Sequence, residues 1–242
     1  MLRRIFAGAA LMSLALSGTL VSAAGASAAS PAPAWNGPGA WAALPRLKDY
    51  TFKAFVLEGY DLGAILYDQE EIHSGGDYRV DLLRKAASFA DDGATTLVHA
   101  GGRYYVQVTW LQKNSPLKVG WYSLGAAPTG TYADIVHQFG MLDTAWQTRL
   151  TGSMGTYAGA CRDAGRAGYG YRVRYPNPAR EGGRWIAGTA CIDRATGAPL
   201  RLALTLHRKG SMGGVDIVDR FTVQEVGRAS VAAPASAKPT GP

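Results

Sequence analysis

The chain has little with which to do metal or nucleophilic chemistry. Its four histidines, His73, His99, His137 and His207, are far apart, and no H-E-x-x-H pair occurs. A zinc-type site draws on clustered His, Cys or carboxylate ligands. There is no phosphate-binding Gly-Lys loop and no dinucleotide fingerprint. Thr151-Gly152-Ser153-Met154-Gly155 and Lys209-Gly210-Ser211-Met212-Gly213 come nearest to a nucleophile elbow, but both lack the first glycine of G-x-S-x-G. They read as turns. Glu71 and His73 share a face of a candidate strand, and Glu70-Glu71 and Asp91-Asp92 read as solvated charges. No catalytic residue, metal ligand or cofactor is expected.

Cysteine is scarce too, with Cys161 and Cys191 alone in 242 residues. A redox pair prefers the C-x-x-C spacing. In an oxidising compartment an even pair 30 residues apart reads as one structural disulfide. The export signal is consistent with this. Arg3-Arg4 precede a short apolar run, Ile5 to Leu20, and small-x-small sites such as Ala26-Ser27-Ala28 follow. Residues 1–28 are expected to be a signal peptide, too short and Ala/Gly-rich for a membrane span. The expected product is soluble in the periplasm or another extracytoplasmic space. The formal charge is +7, and losing Arg3 and Arg4 leaves 7 − 2 = +5. A mildly basic exported protein suits anionic surfaces such as phospholipid headgroups, whereas export argues against nucleic acid as a partner.

What the chain has in abundance is strand pattern. Leu200, Leu202, Leu204 and Leu206 recur at period 2, with Arg201, Ala203, Thr205 and His207 between them. Trp185 to Asp193 precedes this strand and Val215 to Val223 follows it, forming a meander. Upstream, Tyr50–Glu58, Ala64–Ser74, Tyr78–Leu82, Thr95–Ala100 and Arg103–Leu111 read as strands separated by Gly/Asp turns. Tyr132, Ile135, Val136, Phe139, Leu142, Trp146 and Leu150 fall at helical spacing, with Thr131 and Asp134 as a cap and Gly140 as a point of division. Ala40 to Asp49 is a short helix candidate, with Pro45 in its first turn or at a break. Residues 29–39 read as a Pro-rich linker and 228–242 as a disordered Ala/Ser/Pro tail. About eight strands and one helical insert make an α+β fold with a large antiparallel sheet.

Several stretches carry a family resemblance. They are Leu44-Pro45-Arg46-Leu47-Lys48-Asp49-Tyr50-Thr51 before the first strand, Asp77-Tyr78-Arg79-Val80-Asp81, Gly101-Gly102-Arg103-Tyr104-Tyr105-Val106, and the D-x-x-T-G-x-P turn Asp193 to Pro199. With the order of elements, residues 40–227 resemble the LolA-like superfamily of envelope carriers, which includes the LolA/LolB lipoprotein-sorting proteins and the LppX/LprG-type lipid carriers. The resemblance implies a curved half-barrel whose concave side is capped by a few short helices. It also implies a cavity for a lipid or acylated ligand. The expected lining is Val106, Val108, Trp110, Phe139, Trp146, Leu202, Leu204 and Leu206, which as plain core would instead fill the interior. Gly152 to Arg174 reads as a Gly-rich basic loop. Its Arg162, Arg166, Arg172 and Arg174 are candidates for a membrane-surface or polyanion contact, or else are simply solvated. An envelope protein partner, or a hydrolase with an unrecognised catalytic group, are the competing readings.

Overall fold

Twelve strands form a single open sheet in the order β12-β6-β5-β4-β3-β2-β1-β11-β10-β9-β8-β7. The computed structural model describes residues 31–58, 64–85, 94–109, 118–176, 185–210 and 213–240; the signal-peptide expectation lies outside them. The strands are β1 (Tyr50–Glu58), β2 (Ala64–Ser74), β3 (Asp77–Lys85), β4 (Ala94–Ala100), β5 (Arg103–Val108), β6 (Gly120–Gly125), β7 (Met154–Asp163), β8 (Arg166–Pro176), β9 (Trp185–Asp193), β10 (Pro199–Gly210), β11 (Gly213–Val226) and β12 (Lys238–Pro239). All neighbours pair antiparallel except β12, which runs parallel to β6. The helices are α1 (Gly37–Ala43), a 3-10 turn at Leu44–Leu47 and α2 (Thr131–Thr151). The class is α+β with a large curved sheet, as the strand pattern implies.

Alternation turns one face of the central strands inward. On β10, Leu200, Leu202 and Leu204 are fully buried. Among the described residues the buried side chains form two clusters. One joins α1, the 3-10 turn, the C-terminal end of α2 (Trp146, Leu150) and strands β1 and β8 to β11. The other joins Ile135 and Phe139, from the first half of α2, to β3 through β6. A single helix thus serves both. Gly140 does not divide it, because apolar anchors on either side are buried and outweigh the ~1 kcal/mol cost of a helical glycine. Nor does Thr131 cap it: Gly130 holds the cap position with no side-chain bond, while Asp134 sits in the first turn, where a negative charge favours the helix dipole.

The Gly-rich segment is not a loop but the hairpin β7–β8. Tyr169, Tyr171, Val173 and Tyr175 alternate inward, and Arg172 and Arg174 point outward and are exposed. The inward tyrosines supply what the glycines lack in strand propensity. The expected linker is also tied down from Pro33 onward. Trp35 donates its indole N–H to the Ser153 carbonyl at 2.8 Å and sits edge-on to Tyr171, 5.2 Å between centroids. The Tyr171 hydroxyl donates to the Pro33 carbonyl, and burial, helped by the neighbouring Tyr169 and Tyr157, pushes its pKa up. The Asn36 side chain caps α1. In the tail expected to be disordered, Lys238 and Pro239 pair with Tyr122 and Ser123.

The D-x-x-T-G-x-P turn is explained by one carboxylate. Asp193 Oδ2 accepts from the Thr196 N–H and hydroxyl at 3.0 and 2.7 Å, and Arg166 grips both oxygens. Gly197 takes the positive φ of +76° that closes the turn. Burial pushes the Asp193 carboxyl up, but the bonds from Arg166 and Thr196 outweigh it and hold its pKa below the usual carboxylate value.

Cys161 and Cys191 are bonded, as their number and spacing imply. They lie on β7 and β9, with β8 between. Two strand spacings in a flat sheet would by themselves separate the Cα atoms by about 9.6 Å, and their partners on β8, Gly168 and Gly170, are offset along the strand as well, yet here they are 6.0 Å apart. The hairpin therefore folds over at this point, and Gly168 of β8 makes room. A Cβ there would sit 2.8 and 2.7 Å from the two sulfurs.

Gly168→Ala should accordingly lower the unfolding free energy by about 3 kcal/mol, close to loss of the whole cross-link, and leave titratable thiols. A wild-type urea midpoint in this variant would contradict the packing described. The Asp193 contribution to stability should be complete above its unfolded pKa, near ~3.9. It should be lost as the pH falls through the lower native value. In urea titrations, Asp193→Asn should flatten this acid limb relative to wild type.

Candidate functional site

An aromatic row crosses the inner face of the sheet through directly opposed residues. Tyr50 faces His73, His73 faces Tyr78, Tyr78 faces His99 and His99 faces Tyr104. Ring centroids along the row are 4.6, 5.9, 5.3 and 4.8 Å apart. In the next row Phe52 opposes Glu71, which opposes Val80.

Glu71 and Gln69 are therefore buried, at 1% and 0% exposure, on a face that is mostly apolar. This corrects the solvated-charge reading of Glu71: the strand face is covered, and His73 and Gln69 satisfy the carboxylate. His73 Nε2 lies 2.8 Å from Glu71 Oε2, and Gln69 Nε2 donates to Glu71 Oε1. A charge this deep needs such partners. The sequence signal was the polar triplet 69-71-73 at period 2, between strands whose matching faces are aliphatic and aromatic.

Beside this group opens a pocket of about 300 Å³. Trp41, Ala42, Leu44 and Pro45 form its roof and Tyr50, Phe52 and His73 its floor. The chain places them simply: α1 ends in the 3-10 turn, and Lys48 at φ 64° turns the backbone back under it into β1. The pocket is lined mostly by apolar side chains and has one imidazole in its wall. That suits an amphiphile better than an ion.

A second buried charge holds the cover down. Asp219 on β11 is 1% exposed and meets Arg149 of α2 at 2.9 Å. Arg149 also lies over the Tyr175 ring, 4.8 Å from its centroid. Trp146 Nε1 on α2 and Gln69 Oε1 on β2 are buried without a hydrogen-bond partner among the described residues.

The expected lining residues are not brought together. Val106, Val108 and Phe139 belong to the second cluster, Trp146, Leu202 and Leu204 to the first, and each is at most 3% exposed. Trp110 lies outside the described residues, as does the side chain of Leu206. The pocket's own residues come from the α1–β1 connection, which was read only as a helix leading into a strand. The basic set also divides: Arg166 is paired with Asp193, Arg162 is exposed near the end of β7, and Arg172 and Arg174 share the outer face of β8. Ser153 donates to the Leu150 carbonyl at the C-terminal end of α2, so its turn is a helix end. Ser211 lies outside the described residues. Cys161, Asp163 and Cys191 have donor atoms within 4.8 Å of one another, but the two sulfurs are bonded to each other. Among the described residues, no helix is long and apolar enough to cross a membrane.

No family model matches the chain. No curated protein matches it. Solved structures do. MucB is similar at 16% identity over 81% of this chain, with a TM-score of 0.35, and this chain spans 62% of its length. LprF from Mycobacterium bovis is similar at 11% identity over 83% of this chain and 97% of its own, TM-score 0.38. The lipoprotein LppX from Mycobacterium tuberculosis is similar at 13% identity over 75% and 93%, TM-score 0.30.

The Arg149–Asp219 pair should respond unequally to its two deletions. Arg149 is 23% exposed and can turn to water, whereas Asp219 cannot. Arg149→Leu should cost about 3 kcal/mol by taking the cation away from a buried carboxylate, and Asp219→Leu about 1 kcal/mol or less. Equal losses in urea denaturation would rule out this asymmetry.

Proposed function

We propose that this protein is an exported, non-catalytic binding protein that holds the apolar part of a lipid or acylated ligand beneath α1 and the 3-10 turn. The pocket itself carries the reading: an apolar chamber of about 300 Å³, roofed by a short helix and floored by stacked rings, with the His73–Glu71 pair at its wall. Each methylene buried there contributes ~0.8 kcal/mol, so a segment of six supplies roughly 5 kcal/mol before the costs of association. His73 meets the polar end of such a ligand, and Glu71 holds the imidazole in place. Trp146, Leu202 and Leu204 share the cluster to which Tyr50 and Phe52 belong, so a longer chain would extend the site toward them by displacing α2 side chains. A disulfide and an N-terminal pattern of signal type support the extracytoplasmic location.

The test fills the chamber without removing any buried group. Ala42 lines the pocket and is exposed, so Ala42→Trp should leave the melting temperature unchanged. Uptake of a fluorescent fatty acid should fall by about tenfold or more. Native mass spectrometry of wild-type protein from an envelope extract should show an acylated adduct that the variant lacks. A bare wild-type mass, with no uptake of fatty acid or extracted lipid, overturns the reading.

A further inference from the structure

The outer face of β7, β8 and β9 carries a second site, on the opposite side of the sheet from the pocket. Arg172 and Arg174 are two residues apart on β8, so their stems leave the same face about 7 Å apart. Register places Thr156 and Thr189 beside Arg172, and Met154 and Ala187 beside Arg174. Together the two arginines, Met154, Thr156 and Ala187 line a groove of about 430 Å³.

Among the described residues the charge here is uncompensated. The acidic side chains nearby are already engaged, Asp193 by Arg166 at 2.7 Å and Asp163 by Arg201 at 3.6 Å. Among the described residues neither Arg172 nor Arg174 has a carboxylate partner. Their forks are therefore available to an external anion, and the guanidinium matches phosphate oxygens in pairs. The setting is also apolar. Trp185 is 40% exposed and lies under the Arg174 guanidinium, 5.6 Å to the ring centroid, and Met154 is 52% exposed. An indole and a thioether presented to solvent beside two guanidiniums form a half-anion, half-hydrocarbon surface, the chemistry of a bilayer's headgroup layer.

We propose that this groove binds the headgroup phosphate of an anionic phospholipid, with Arg172 and Arg174 on the phosphate and Trp185 and Met154 at the acyl boundary. The Cys161–Cys191 bond ties β7 to β9 on either side of β8, so the strands that present these groups are held together. The inference stands independently of the inner pocket.

The experiment is co-sedimentation with vesicles of phosphatidylglycerol in phosphatidylcholine, compared with phosphatidylcholine alone. Wild type should be retained on the anionic vesicles only. Arg172→Gln and Arg174→Gln should each weaken retention about fivefold, and together about 25-fold. Arg103→Gln with Arg228→Gln removes the same charge at exposed positions elsewhere and should leave retention unchanged. Trp185→Ala should weaken binding without changing its salt dependence. Equal loss in the Arg103/Arg228 pair would mean that net charge alone is at work and would overturn the site. Wild-type retention in the Arg172/Arg174 double variant would overturn it as well. Binding of inorganic phosphate with no retention on vesicles would overturn the lipid assignment. The Ala42→Trp variant should keep full vesicle binding, which separates failure here from failure of the pocket reading.

Discussion

Covering one face of a very wide sheet is the constraint from which the other features follow. Twelve strands side by side span roughly 53 Å if laid flat, and α2, with 21 residues, is about 31 Å long. A helix of that length cannot shield a flat sheet of that width. The sheet has to curl around it, as sheets beyond about ten strands tend to do. The two clusters record the result. The first half of α2 is spent on β3 to β6 and its last turns on β8 to β11, with α1 added over the second group.

Between the strands of these two clusters lies β2, which contributes to neither among the described residues, and the buried polar groups of the inner face gather near it. Glu71 and Gln69 come from β2, with the half-buried His73 beside them, and Asp219 sits on β11 opposite Val56 of β1. Burying such groups contributes little net stability even when they are paired. Leu or Val at 69 and 71 would extend the apolar rows on either side without that cost. Their presence beside a pocket wall that contains an imidazole is therefore easier to understand as a requirement of binding than of folding. Asp219 has a different role, since its partner Arg149 belongs to α2 and the pair fixes where the helix lies.

The sequence made the strands legible wherever side chains alternate between apolar and polar, as in Leu200 to Leu206 and Tyr104 to Val108. It hid them where glycine and alanine replaced the outward residues. In β8 the alternation of Tyr169, Tyr171, Val173 and Tyr175 was present, but Gly168 and Gly170 outweighed it in a propensity reading. Those glycines serve the three-dimensional arrangement: at 168 the side chain is missing because a disulfide from two other strands passes overhead. The burial of Glu71 was hidden for a similar reason. A carboxylate on a strand reads as solvent-facing until the register shows Phe52 on one side and Val80 on the other. The cavity residues were chosen for hydrophobicity, and hydrophobicity alone selects the packed core. The pocket instead lies where α1 meets β1, a junction whose geometry rests on the backbone turn at Lys48.

The two proposed sites occupy opposite faces of one sheet, and the alternation of a strand is what makes that possible. On β8, Tyr171, Val173 and Tyr175 belong to the core cluster that continues through Phe52 to the pocket floor, and the residues between them, Arg172 and Arg174, face solvent. Reversing the register by one residue would put guanidiniums into the core and tyrosines into water, so neither surface can drift without destroying the other. For a molecule that takes up an apolar ligand, separating the surface that meets anionic headgroups from the chamber that stores the hydrocarbon has a physical advantage. Charge that attracts the protein to a bilayer would, if placed at the chamber mouth, have to be desolvated each time a chain entered. Held on the outer face, stapled by Cys161–Cys191, the two arginines remain hydrated while the inner face stays closed around its rings.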